Sequence, residues 1–258
     1  MPRVGTVNYH VHKSEQQAFE IDAGGVVGRL LSPELVTTEV PLTDLRQSAA
    51  EVQFETDGVT FLTAPSHVFD FSGTDWQAQY DQELTDILEK EVGAKDTVIF
   101  DHTVREDDPN SDRKPARNVH SDYSEEGARD RLVDILGADR AAEWAQGHYG
   151  FINIWRPVGA PINSAPLGFV RPSTVRQEDW IPIDLIYPDR LGHIMGLAVN
   201  DSHEWVYRSK MSPDEIALFN IYDNHGLASV GHSAIDLIED ETVTRIRKSI
   251  ESRTLVRY

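Results

Sequence analysis

The chain has 258 residues with 40% apolar and 26% charged side chains, which allows one large domain, or two small ones, with a substantial core. Its formal net charge of −19 argues against long-range attraction to nucleic acid or to an anionic membrane. There is no cysteine, which excludes disulfides, thiolate zinc sites, cysteine-ligated iron–sulfur clusters and a cysteine nucleophile, and leaves His, Asp and Glu as metal ligands.

The first residues, Met1 to Asn8, carry no apolar signal region and no later run approaches a membrane span, so the expectation is a cytoplasmic, non-membrane protein. Residues 1–75 hold short strand-like runs, Val4 to Val11, Val26 to Leu31, Val59 to Leu62 and Val68 to Phe71, separated by Gly, Pro, Asp and Ser, and read as an N-terminal β region. His10 and His12 are expected on an exposed strand face. From Asp75 to Gly93 the spacing of Trp76, Tyr80, Leu84, Ile87 and Leu88 predicts a helix whose stripe is core, with Thr74 or Asp75 as N-cap and Gly93 as stop.

Val98 to Arg105 reads as a buried strand, whose His102 and Arg105 either face the cavity or anchor the preceding loop, the anchor being preferred. Glu106 to Arg117 is charged, contains two prolines, and is a loop. Asn118-Val119-His120-Ser121-Asp122-Tyr123 follows directly. Ser124 opens a second helical stretch that runs to about Trp144. Phe151 to Pro157 is a strand whose alternation sets Asn153 and Trp155 on one face. Between Pro161 and Tyr207 come several short strands, including Gly196 to Val199 and Trp205 to Tyr207. Met211 to Glu215 reads as a helix start with Pro213 at its first position. Ala217 to Tyr222 is a strand, His232 begins another, and Ile250 to Tyr258 is the last. His148, His193 and His203 are placed in loops or at the surface. The pattern predicts a mainly β, double-sheet jelly roll with flanking helices, treated as a single domain of residues 1–258, with residues 76–258 forming the metal-binding core behind the N-terminal β region.

A His and an Asp two residues apart in extended chain point to one face, so His120 and Asp122 can reach one ion together. A distal histidine completes the 2-His-1-carboxylate set that holds non-haem Fe(II) and leaves positions open. His232 is preferred by position and His225 is the alternative. Near the end of the chain, strand alternation puts Arg247, Ser249, Glu251 and Arg253 on one face, where an inward Arg247 and Ser249 would hold a carboxylate. Asn153 and Arg156 are candidates for the wall of the same pocket. Tyr123 and Trp155 are core or pocket wall, and Tyr187 is structural or a ring facing substrate. Two other readings use the same residues: a cupin-like divalent-metal isomerase or hydrolase, and a non-catalytic jelly-roll binding module.

Together, Phe100-Asp101-His102-Thr103-Val104-Arg105, Val119-His120-Ser121-Asp122-Tyr123-Ser124, Asn153-Ile154-Trp155-Arg156-Pro157, Asp184-Leu185-Ile186-Tyr187-Pro188-Asp189-Arg190, His232-Ser233-Ala234 and Arg247-Lys248-Ser249-Ile250-Glu251-Ser252-Arg253 carry a resemblance. From about Gly58 to Tyr258 the chain resembles the CmcJ/NvfI-type oxidoreductases. These are a branch of the Fe(II)/2-oxoglutarate-dependent oxygenases that includes cephalosporin 7α-hydroxylase components, gibberellin desaturase-like proteins and fungal meroterpenoid oxygenases. The resemblance implies a distorted, cupin-like double-stranded β-helix with iron on His120, Asp122 and His232. It implies that Arg247 and Ser249 meet the distal carboxylate of 2-oxoglutarate in an Arg-x-Ser pattern, with Arg253 as competitor. Where relatives follow the distal histidine with a Thr/Ser-Ala-Phe-Asp-like segment, this chain has Ser233-Ala234-Ile235-Asp236. The implied activity uses Fe(II), 2-oxoglutarate and O2 to hydroxylate, desaturate or cyclise a small molecule of specialised metabolism. Glu106 to Arg117, the N-terminal β region and Pro161 to Trp180 are the expected walls of the substrate pocket.

Overall fold

The computed structural model describes residues 3–21, 27–31, 33–188, 190–242 and 245–258. In order they form β1 (Arg3–His10), β2 (Gln17–Ile21), β3 (Val27–Leu31), β4 (Leu35–Asp44), the single turn α1 (Phe54–Asp57), β5 (Val59–Thr63), α2 (Gln77–Val92) and β6 (Asp96–Glu106). There follow β7 (His120–Ser121), α3 (Glu125–Leu136), α4 (Ala138–Trp144), β8 (Tyr149–Pro157), β9 (Leu167–Val170), β10 (Trp180–Ile186), β11 (Leu191–Leu197), β12 (Trp205–Tyr207), β13 (Glu215–Asp223), β14 (His232–Ala234) and β15 (Lys248–Arg257). Of the expected strand Val26 to Leu31, Val26 lies outside the described residues, as does Asp189 of the Asp184 to Arg190 motif.

The strands form two sheets, as expected for a jelly roll. One has five strands in the order β5-β13-β8-β15-β6, and the other has ten in the order β1-β4-β12-β9-β14-β7-β11-β10-β2-β3. Strands from the N-terminal β region are woven into both ends of the larger sheet, β4 pairing in parallel with β12 and β2 in parallel with β10.

Alternation along β8 shows how the layers are built. Phe151 and Trp155 face the ten-stranded sheet and join Phe169, Phe219 and Trp144 in the inter-sheet core. Ile152 and Ile154 point the other way, against Tyr80, Leu84 and Leu88 of α2. Burying such a stripe is worth roughly 1.5–3 kcal/mol per large apolar side chain, which fixes α2 to the outside of the five-stranded sheet. The inner face of that sheet is left free to carry polar groups.

Several local expectations are corrected. Val68 to Phe71 is not a strand, because the Ser66 hydroxyl takes the Val68 amide and the Asp70 carboxylate takes the Ser72 amide, leaving no ladder to form. Met211 to Glu215 does not start a helix. The Glu215 carboxylate accepts from the Ser212 amide and from Arg46, and Glu215 opens β13 instead. The stretch from Ser124 to Trp144 is two helices, broken where Gly137 takes φ 76° and ψ 160°. Ser124 caps the first by accepting from the Gly127 amide, as expected. At α2 the N-cap residue is Trp76, with no side-chain cap. Gly93 ends that helix in the left-handed conformation, as the sequence suggested.

Candidate active site

Two strands of the larger sheet set the geometry of the site. In the ladder between β7 and β14, His232 stands opposite His120, so two imidazoles reach the same side of the sheet at neighbouring positions. Asp122 follows β7 by one residue, on the His120 face. The ring centroids of the histidines are 4.6 Å apart. Oδ1 of Asp122 lies 3.4 Å from Nε2 of His120 and 3.9 Å from Nε2 of His232. Among the described residues this is the one group of His, Asp or Glu able to converge on a single ion, with all ligand atoms within 4.8 Å of one another.

The tautomers follow from the hydrogen bonds. His120 Nδ1 lies 2.8 Å from the Asn118 carbonyl and His232 Nδ1 lies 3.1 Å from the Val230 carbonyl. A carbonyl only accepts, so each Nδ1 carries the proton and each Nε2 offers a lone pair to the shared point. Burial, reinforced by the neighbouring His120, pushes the His232 pKa down to about 4, which keeps it a neutral ligand.

Asp122 divides its two oxygens between two tasks. Oδ1 faces the histidines. Oδ2 accepts from Asn153 Nδ2 at 2.8 Å and from Arg253 Nε at 3.1 Å, both on the five-stranded sheet. Burial alone would raise its pKa, but the Arg253 charge beside Oδ2 outweighs it and holds the carboxyl well below its ordinary range. Arg253 is itself fixed by Asp101 and Glu251, each at 2.5 Å.

The inner face of the five-stranded sheet follows strand parity. Opposite pairs in the β6–β15 ladder are Arg105 with Ser249, Thr103 with Glu251, and Asp101 with Arg253. Across β15, Glu251 faces Trp155 and Arg253 faces Asn153 of β8. Arg247 packs its guanidinium 5.3 Å over the Trp155 ring. Its Nε and Nη1, and the Ser249 hydroxyl, are buried without a hydrogen-bond partner. Burial lowers the Arg247 pKa to about 9, and the nearby Arg105 charge adds to this. A small chamber has His120, His232, Trp155, Arg247 and Glu251 in its wall. Beside it opens a cavity of about 390 Å³, bounded by the triad residues His120 and Asp122, by Tyr123 and the α3 face, and by Tyr187 and His193 of the β10–β11 hairpin.

Of the other predicted positions, Asn153 and Arg253 grip Asp122. Arg156 is on the opposite face, donating to the Tyr80 hydroxyl and to the carbonyls of Ala64 and Pro213. It is not a pocket residue, because its parity is that of Ile152 and Ile154. His225 stacks on His148 at 4.2 Å, away from the triad. His10 is 1% exposed rather than surface-facing, since β1 is covered by Phe19 and by the Asn118 side chain. His203 is also buried, between Tyr9 and Asp179. His102 ties β6 to α2 through Asp81, and bonds Ser252. Arg105 both bonds the loop at Lys114 and lines the cavity. Pro161 to Trp180 contributes nothing to the large cavity. The α3 face and the β10–β11 hairpin take its place, joined by Phe19 and by Arg113 and Ala116 of the predicted loop. Asp101 and Thr103 were missed, although the alternation of β6 carried the signal, and Glu251 was placed on the right face without a role.

The donor set fits the implied groups. Two neutral imidazoles and one carboxylate, converging with their far sides already occupied, suit a non-haem Fe(II) site with open positions. An adjacent buried guanidinium and hydroxyl with unfilled donors suit a carboxylate. A family model described as "Oxidoreductase/YMDC permease-like domain" matches residues 7–257, and no described helix is long and apolar enough to cross a membrane. The hydroxylase/desaturase efuI of Hormonema carpetanum is 29% identical, the alignment covering 97% of this chain and 93% of the relative. The Fe(II)/2-oxoglutarate-dependent dioxygenase nvfI of Aspergillus novofumigatus is 24% identical over 72% of this chain and 70% of its own. A solved structure of the iron and alpha-ketoglutarate-dependent endoperoxidase NvfI superposes with a TM-score of 0.84 at 19% identity, covering 99% of this chain and 97% of that one.

Proposed function

The chain belongs to the oxidoreductase family matched by that model, as an NvfI-type Fe(II)/2-oxoglutarate-dependent oxygenase, and we propose that its substrate is a small organic molecule of specialised metabolism, oxidised in the 390 Å³ cavity. The observation that carries the reading is the placement of the His120, Asp122 and His232 triad beside a buried Arg247 and Ser249 whose donors are unfilled.

With Fe(II), 2-oxoglutarate and O2 bound, the chemistry supplied is oxidation of a substrate C–H bond coupled to oxidative decarboxylation of the keto acid. The protein's own part is positioning. His120 and His232 present neutral Nε2 atoms, and Asp122 presents Oδ1 while Asn153 and Arg253 hold its other oxygen. Arg247 and Ser249 receive the distal carboxylate, with Trp155 under the guanidinium excluding water. Tyr123, Leu185 and Tyr187 give the large cavity an apolar side against which a carbon skeleton rests. The choice among hydroxylation, desaturation and cyclisation follows from which C–H bond that wall turns toward the triad.

Anaerobic titration of the metal-free protein with Fe(II) and then 2-oxoglutarate tests the reading. A visible charge-transfer band is expected only after both additions, and not in Asp122→Ala. Tight Fe(II) binding with no band on adding the keto acid would overturn it.

A further inference from the structure

We propose that Arg105 is a second carboxylate-binding arginine of the co-substrate chamber, acting beside Arg247 and Ser249; this rests on the oxygenase reading above. In the β6–β15 ladder Arg105 stands opposite Ser249, and directly opposed residues project to one face with Cβ atoms about 5 Å apart. The Arg105 side chain lines the small chamber and also the large cavity, so it stands where the two meet.

Its donors are largely uncommitted. Among the described residues the Arg105 side chain makes one hydrogen bond, from Nη1 to the Lys114 carbonyl at 3.0 Å, and no ion pair. Its surroundings disfavour a lone cation. Burial lowers its pKa, Arg253 and Arg113 add to this, and Glu251 and Asp122 oppose it. Arg247 is in the same position and is further disfavoured by Arg105 itself. The buried Arg247, with Nε and Nη1 unfilled, and the half-buried Arg105 beside it form a pair of like charges that is costly until an anion enters between them.

The test uses Fe(II)-loaded protein without oxygen, titrated with 2-oxoglutarate and followed by the charge-transfer band, with the thermal shift of the Mn(II)-loaded protein as a second readout. Arg105→Gln is expected to weaken 2-oxoglutarate binding about tenfold or more while leaving Fe(II) affinity unchanged, because a buried charge-assisted contact is lost. Arg105→Lys keeps the charge but not the planar fork, and is expected to lose about threefold. It also serves as the measurement if the glutamine variant fails to fold. Wild-type affinity in either variant, with binding abolished in Arg247→Gln, would overturn the proposal and leave Arg105 as a loop anchor. Failure of the wild type itself to bind 2-oxoglutarate would instead remove the oxygenase reading on which the proposal stands.

Discussion

His10 and His232 are both held neutral by burial, each with its pKa pushed down to about 4. For a base with a depressed pKa, the unfolded chain takes up protons that the folded chain refuses, so stability falls as the pH drops from the unfolded value near 6.5 toward 4. Asp122, held well below its ordinary range, titrates beneath that window. The metal-free protein is therefore expected to lose stability steadily between pH 6.5 and 4.5, by at most about 1.4 kcal/mol per pH unit for each imidazole, seen as a falling melting temperature. His10→Gln can still accept from Asn118 Nδ2 but does not titrate, and its melting temperature should fall less steeply. Parallel profiles for variant and wild type would show that His10 does not contribute.

At the scale of the element, strand parity decides function more than residue type does. Arg156 is buried and Arg253 half-buried on neighbouring strands, yet one braces α2 and its connections from outside the sheet while the other grips Asp122 from within. Arg156→Met is expected to cost about 2–4 kcal/mol through the lost hydrogen bonds to Ala64, Pro213 and Tyr80. It should leave the 2-oxoglutarate affinity of the folded protein within twofold, which calorimetry on the Fe(II)-loaded variant would check. A large loss of affinity at unchanged melting temperature would return Arg156 to the pocket. The same parity explains what was legible in the sequence. His120 with Asp122, and Arg247 with Ser249, were readable because each pair lies within one short extended run. Asp101 and Thr103 were not singled out, and Glu251 was given a face but no role, since their meaning comes from the ladder between β6 and β15, and pairing partners so distant in sequence leave no local signature. His10 was misread because the burial of β1 is imposed by Asn118 and Phe19, neither of which belongs to its own strand.

Across the whole molecule, the site is shared between the two sheets. The proposed metal ligands His120, Asp122 and His232 lie on or just after strands of the ten-stranded sheet, while Asn153, Arg247, Ser249 and Arg253 lie on or just before strands of the five-stranded one. Ligands that bridge the layers bind the folded state alone, and so stabilise it by about 2.7 kcal/mol at a hundredfold excess over Kd. Mn(II) and 2-oxoglutarate added together are expected to raise the melting temperature by several degrees, more than the sum of either alone. Strictly additive shifts would show that the two ligands do not share a site. The overall jelly roll could be inferred from the many short strands between turn residues. The attachment of the N-terminal strands at both ends of the larger sheet could not, because parallel pairing of β4 with β12 and of β2 with β10 depends on the assembled fold.

The cavity wall and the triad are drawn from different segments. Leu185, Tyr187 and Leu191 of the β10–β11 hairpin, together with Asp130, Arg131 and Asp134 of α3, border the open cavity without touching the ion-binding atoms. Divergence can therefore work on those segments one substitution at a time, trading one substrate for another, while the oxidising machinery is inherited unchanged.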